Sequence, residues 1–365
     1  MDIITRNFFR LLRSGAFNED VSIEPMSYWK WKCLYQNACL HGIHGILADG
    51  IDHCREQFFL MLPEDLVNKW KDTVATLETE NDNIAETQFN LYRTLRQHQF
   101  RPVLIGNCLW AESYPKPEHH QNLKIEFFFP SKQQFDKAYE WVEENGENIT
   151  VRDNGTVIYD WNGVRVEHYP KLHTLTNKYL NFKLNSIVEQ EFHDNAPTFM
   201  NEDTEILSNE LSLFLILLRF SYHLLNNCIS IKNLCDLSIF LRTEGSKVDY
   251  AKLNKWIATL RMKSIANIVG ALLVELFNFS YDELPFVTST KSDIEPLLKD
   301  LYNVKIAETN SWYFKQGKDI FVHANNSSAM MWHVRHSGKY FKYYPSESIT
   351  NFVSSFARSL SQIEE

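Results

Sequence analysis

Residues 101–130 read RPVLIGNCLWAESYPKPEHHQNLKIEFFFP, and the order of apolar runs and breaks in them decides the fold. Val103-Leu104-Ile105 is a short apolar run that meets Gly106-Asn107, after which Cys108-Leu109-Trp110-Ala111 takes up helical spacing. The pattern predicts strand, tight turn, helix. Pro115 and Pro117 exclude helix from the loop that follows, and residues 123–129 predict a second strand that stops at Pro130. Strand side chains alternate with period two, so Lys124 and Glu126 share one face.

Working outward, residues 64–99 repeat apolar side chains at Leu66, Trp70, Val74, Leu77, Ile84, Phe89, Tyr92 and Leu95, with Pro63 at the first turn. This predicts one long helix delivering the chain into the first strand. Upstream, helical patterns run over residues 3–12 and 27–36 and continue through 38–48, making an N-terminal helical lobe. Downstream, Ser131 is placed to cap a helix that Gly146 closes. Residues 149–152 and 156–161 read as strands around the turn Asp153-Asn154-Gly155, and Asn162-Gly163 leads into a further strand, Val164-Arg165-Val166-Glu167-His168-Tyr169. Beyond His173 the pattern is helical through 207–225, 230–241 and 253–279. An aromatic and β-branched stretch occupies 309–334, and a last helix covers 349–363. The expectation is an α+β protein: a small mixed sheet flanked by N- and C-terminal helical lobes. Its divisions would be 1–100 (helical), 101–180 (α/β core), 181–300 (helical) and 301–365 (mixed).

The chain has 365 residues, enough for several lobes around a sizeable core. A formal charge of -9 argues against a broad electrostatic footprint for nucleic acid or an anionic membrane. Six cysteines show neither a CxxC nor a paired Cys/His spacing, so they read as reduced thiols rather than zinc ligands. His333, Arg335 and His336 lack neighbours to complete a ligand set and read as a surface segment. The first residues, MDIITR, begin an amphipathic helix without the apolar run of a signal peptide. The most apolar run, 211–218, is followed by Arg219 and His223 and falls short of the roughly 20 residues that span a bilayer. A cytoplasmic protein with no membrane partner is the expectation.

The strand-turn-helix and the strand after it resemble the nucleotidyltransferase superfamily, in which a glycine turn opens a helix and the next strand presents Asp-x-Asp or Asp-x-Glu. The similarity is nearest to a bacterial family of uncharacterised nucleotidyltransferases, whose turn reads Leu-Lys-Gly and whose second strand reads Arg-x-x-Gly-Asp-Ile-Asp. Here the turn reads Leu104-Ile105-Gly106 and the strand His120-Gln121-Asn122-Leu123-Lys124-Ile125-Glu126. The resemblance implies a nucleoside triphosphate held at Gly106 and Asn107, with His120 and Lys124 beside its phosphates. The acceptor would be a hydroxyl of a small molecule or a protein. It also implies a carboxylate from the third strand, so that Glu126 and Glu167 become the catalytic and metal-holding candidates.

In such sites two carboxylates hold Mg2+ ions roughly 3.5 to 4 Å apart. Lysine at position 124 replaces one ligand by a cation, so Mg2+ is expected to be weakly held or absent. The phase of the third strand stays open, because a one-residue slip exchanges Arg165 and Glu167 for Val166 and His168. His168, His223 and Asp236 are further cleft candidates under the resemblance; each also reads as an internal hydrogen-bonding residue. Two functions follow: nucleotidyl transfer, or an inactive relative that uses the fold as a binding module. Ile105, His120 and Lys124, each departing from the family pattern, favour the second.

Overall fold

The computed structural model describes residues 2–57, 62–200, 203–226, 229–302 and 339–361. The aromatic stretch 309–334, His333, Arg335 and His336, and Cys228 lie outside the described residues. The described chain forms two compact units. The first holds the residues up to Leu172 with Val188–Ser212 and Cys235–Lys247; the second holds His173–Ile187, Leu213–Leu234 and the described residues from Val248 onward.

In the first unit, helix α1 (Ile3–Phe17) starts at Asp2, whose carboxylate accepts the Thr5 N–H at 2.8 Å. Helices α2 (Tyr28–Leu40) and α3 (His44–His53) follow. The continuous helical pattern expected through residues 38–48 is broken at Gly42, whose φ of 67° leaves the helical region at little cost only for glycine. α1 and α3 pack backbone to backbone: a Cβ added at Gly15 would strike the Ile46 carbonyl, and one at Gly50 the Leu11 carbonyl. Helix α4 (Glu64–Gln97) buries Leu66, Trp70, Val74, Leu77, Ile84, Leu91, Tyr92 and Leu95 along one stripe, while Phe89, counted with that stripe in the sequence, is exposed.

The long helix ends at β1 (Val103–Ile105), followed by the short helix α5 (Asn107–Ala111), β2 (Ile125–Phe128) and α6 (Lys132–Asn145). Ser131 caps α6 by accepting the Gln134 N–H. Strands β3 (Glu147–Val151), β4 (Val157–Trp161) and β5 (Val164–Tyr169) form successive hairpins. Asn162 and Gly163, with φ of 50° and 76°, make the turn between β4 and β5, where two positive values match the right-handed strand twist. Helix α7 (Lys178–Asp194) precedes β6 (Thr198–Met200) and β7 (Thr204–Ile206).

All seven strands form one mixed sheet in the order β3-β4-β5-β2-β1-β7-β6. β2 runs parallel to β5 and antiparallel to β1. On one face Leu104, Ile125, Phe127, Tyr159 and Val166 pack with Leu91, Tyr92 and Leu95 of α4 and with Phe135, Ala138, Trp141 and Val142 of α6. The α+β expectation holds, with one correction: the chain beyond His173 is not wholly helical. β6 and β7 extend the sheet past β1, where Leu104 pairs with Ile206 and the Glu205 N–H donates to the Tyr92 hydroxyl at 2.9 Å. Three-residue strands are too short to display an alternation that sequence periodicity detects.

Helix α8 (Asn209–Asn226) and helix α9 (Ile231–Thr243) follow, and the second unit continues with α10 (Tyr250–Thr259), α11 (Lys263–Phe277), α12 (Glu295–Tyr302) and α13 (Pro345–Ser361). Glu347 of α13 accepts the Thr176 and Asn177 N–H groups, and the Tyr344 hydroxyl donates to the Leu260 carbonyl at 2.9 Å. No described helix is long and apolar enough to cross a membrane.

Candidate functional site

β2 turns Ile125 and Phe127 into the core and Glu126 to the other face of the sheet. Pairing sets Glu126 opposite Ile105 on one side and Glu167 on the other. The end of β1, where Gly106 begins the turn into α5, therefore lies beside a carboxylate row. Gly106 has φ 83° and ψ -151°, a region that side-chain-bearing residues do not adopt without strain, so the turn depends on glycine.

The side chains of Lys124, Arg152 and Tyr169 converge on that row. Lys124, immediately before the paired residues of β2, places Nζ 2.7 Å from Glu167 Oε2 and 3.3 Å from Glu126 Oε1. Arg152, just past β3, sets its guanidinium fork on both Glu167 oxygens, at 3.1 and 3.4 Å. The Tyr169 hydroxyl lies 3.0 Å from Glu126 Oε1, within a shorter hydrogen bond of Glu167 Oε2, and 3.2 Å from Lys124 Nζ, which donates to it. Both carboxylates are sealed from water, at 3% and 1% exposure, and such burial is tolerable only because each is charge-paired. The cations are not sealed: the Lys124 side chain is 26% and that of Arg152 49% exposed.

This donor set does not fit a resident pair of Mg2+ ions. Lys124 Nζ occupies the gap between the carboxylates that a shared divalent ion would take, and Arg152 engages both oxygens of Glu167. Glu126 and Glu167 are ion-paired with Lys124, and Glu167 also with Arg152.

The loop carrying Lys124 is anchored from behind. Asn81 of α4 donates to the carbonyls of Glu118 and His120 at 2.6 and 2.8 Å and accepts the Asn122 N–H at 3.2 Å. His120 is completely buried, with Nδ1 3.0 Å from Asn122 Oδ1 and Nε2 2.9 Å from Asp236 Oδ1. The Tyr114 hydroxyl donates to the same Asp236 oxygen at 2.7 Å. Its neighbour His119 places Nδ1 2.8 Å from Asp49 and Nε2 2.9 Å from Glu78, and Lys116 joins Asp49 at 2.5 Å. Burial pushes the His119 pKa down, but its hydrogen bonds to Asp49 and Glu78 outweigh this and leave it above the ordinary histidine value.

The model of a family described as uncharacterised nucleotidyltransferase matches residues 28–278, from α2 to the end of α11. The chain belongs to that family. Comparison with curated proteins and with solved structures finds no match. The matched span of this nucleotidyltransferase-family chain contains the whole carboxylate row and its anchors.

Of the residues singled out in the sequence, Lys124, Glu126 and Glu167 come together, and Gly106 is adjacent through the β1–β2 register. Asn107 opens α5 next to it. The open phase of β5 resolves with Glu167 on the site face; Arg165 is exposed, in register with Asp160 of β4. His168 lies on the opposite face, buried among Phe127, Phe129 and Tyr159, and Nε2 meets the Tyr159 hydroxyl at 2.9 Å. Burial drives its pKa down to about 3, so it stays neutral in the core and lines no cleft. His120 and Asp236 face each other inside the protein. His223 belongs to the second unit, beside Tyr222.

Arg152 and Tyr169 were missed in the sequence. Tyr169 was readable in principle, since Arg165, Glu167 and Tyr169 alternate on one strand face. Arg152 was not, because only the hairpin register carries it back over β5.

Proposed function

We propose that this chain binds a nucleoside triphosphate over the Glu126–Glu167 face, with Lys124 and Arg152 supplying the positive charge that a metal pair supplies elsewhere in the superfamily. The observation that carries the reading is the position of Lys124 Nζ, 2.7 and 3.3 Å from the two carboxylates. Phosphate oxygens are acceptors, and the partly exposed cationic side chains of Lys124 and Arg152 suit them as charge-assisted partners. The adjacent Gly106 turn has no Cβ to hinder close approach of a phosphate. The acceptor, under this reading, is a hydroxyl of a small molecule or a protein.

A second reading, an inactive member that serves as a binding module, is supported by the same ion pairing. Glu167 already takes hydrogen bonds from Lys124 and Arg152, so both of its oxygens are charge-paired within the chain. Equilibrium binding of ATP, GTP, CTP and UTP separates the two. The first reading expects saturable binding of at least one of them that weakens when Arg152 is replaced by alanine; absence of binding for all four overturns it. Incubation with labelled nucleotides and cell extract then reports whether an acceptor is modified.

A further inference from the structure

We infer that Tyr169 is itself an acceptor in this site, its phenol oxygen taking a nucleotidyl group from the bound nucleoside triphosphate. The inference rests on the nucleotide-binding reading above and names the substrate hydroxyl that the chain carries within it.

The geometry has the three parts that nucleophilic catalysis requires: a nucleophile within hydrogen-bond reach of a base, and a third group that orients the base. The Tyr169 hydroxyl is the nucleophile, hydrogen-bonded to Glu167 and 3.0 Å from Glu126. A phenol has one proton, so with two carboxylates in reach one of them is always placed to receive it. Arg152 fixes Glu167 through both of its oxygens, at 3.1 and 3.4 Å. Lys124, donating to the phenol oxygen at 3.2 Å, stabilises the negative charge that builds on it as the proton leaves.

The step balances without a redox partner. The Tyr169 oxygen forms a bond to the α-phosphorus, the bond from that phosphorus to the bridging oxygen of the β-phosphate breaks, and pyrophosphate departs with the electron pair. The phenol proton passes to Glu167, and the product is a Tyr169 phosphodiester of the nucleoside. Elsewhere in the unit Tyr159 and His168 also pair hydroxyl to imidazole at 2.9 Å, but both are buried in the core and no substrate reaches them. Tyr169 differs in being half-exposed on the face that carries the cations.

The test is to incubate the full chain with each of the four nucleoside triphosphates, in Mg2+ and in chelator. Intact mass is read for addition of one nucleoside monophosphate, and the modified residue is located by peptide sequencing in the mass spectrometer. Binding is measured on the same wild-type protein. The expected result is modification at Tyr169, lost in Tyr169→Phe and slowed on the order of a hundredfold in Glu167→Gln. Nucleotide binding without modification, or modification only at another residue, overturns the inference and leaves the nucleotide-binding reading standing. No binding of any nucleotide overturns both.

Discussion

A single histidine shows how charge is used to fasten this unit. His119 has a carboxylate oxygen within 2.9 Å of each ring nitrogen, and only the imidazolium form can donate to both at once. With its folded pKa above the ordinary value of about 6.5, its stabilising contribution is complete below that value and is lost as pH rises through the folded pKa. His44, pushed to about 4 by burial and then by the charge of His119, acts with the opposite sign and loses stability as pH falls below about 6.5. The difference between wild type and His119→Gln reads the first effect, offset in part by the relief of His44 from the His119 charge. Chemical denaturation at pH 5.5 is expected to show the variant less stable by about 1 to 3 kcal/mol, with the gap narrowing toward alkaline pH. A gap that does not change with pH would contradict the imidazolium bridge.

Among the elements, the crossing of α1 and α3 makes the sharpest demand on sequence. Gly15 and Gly50 each face a carbonyl of the other helix, so neither helix can retreat from an added methyl without moving backbone. Gly50→Ala is expected to cost about 1 to 3 kcal/mol, read as a lower denaturation midpoint at unchanged slope. A variant of wild-type stability would show that the contact yields. The same scale explains what the sequence disclosed. β1, the Gly106 turn, α6 and the hairpins of β3, β4 and β5 were legible because each carries its own local signal: an apolar run, a cap at Ser131, a turn at Asn162-Gly163. β6 and β7 carry no such signal and exist because β1 offers them an edge. At the site, the shared face of Lys124 and Glu126 was legible from strand alternation, whereas Glu167 entered through the family resemblance with its phase open until the β2–β5 register placed it beside Glu126. The partners of His120 and His119 were not, since Asp236 and Asp49 lie 116 and 70 residues away and only tertiary packing brings them close.

At the scale of the whole molecule, we propose that this member of a nucleotidyltransferase family carries in the side chains of Lys124 and Arg152 the positive charge that a bound metal supplies elsewhere in the superfamily. The most direct measurement of that claim is nucleotide affinity with Mg2+ and with chelator, in wild type and in Lys124→Asp. The substitution leaves Glu126 and Glu167 in place and puts a carboxylate where the ammonium stood, restoring a donor set that suits a divalent ion. Wild type is expected to bind about equally in the two conditions, whereas Lys124→Asp should lose its metal-free binding and bind at least about tenfold more tightly with Mg2+ than without. Wild-type affinity that collapses in chelator, or a variant as indifferent to Mg2+ as wild type, would contradict it.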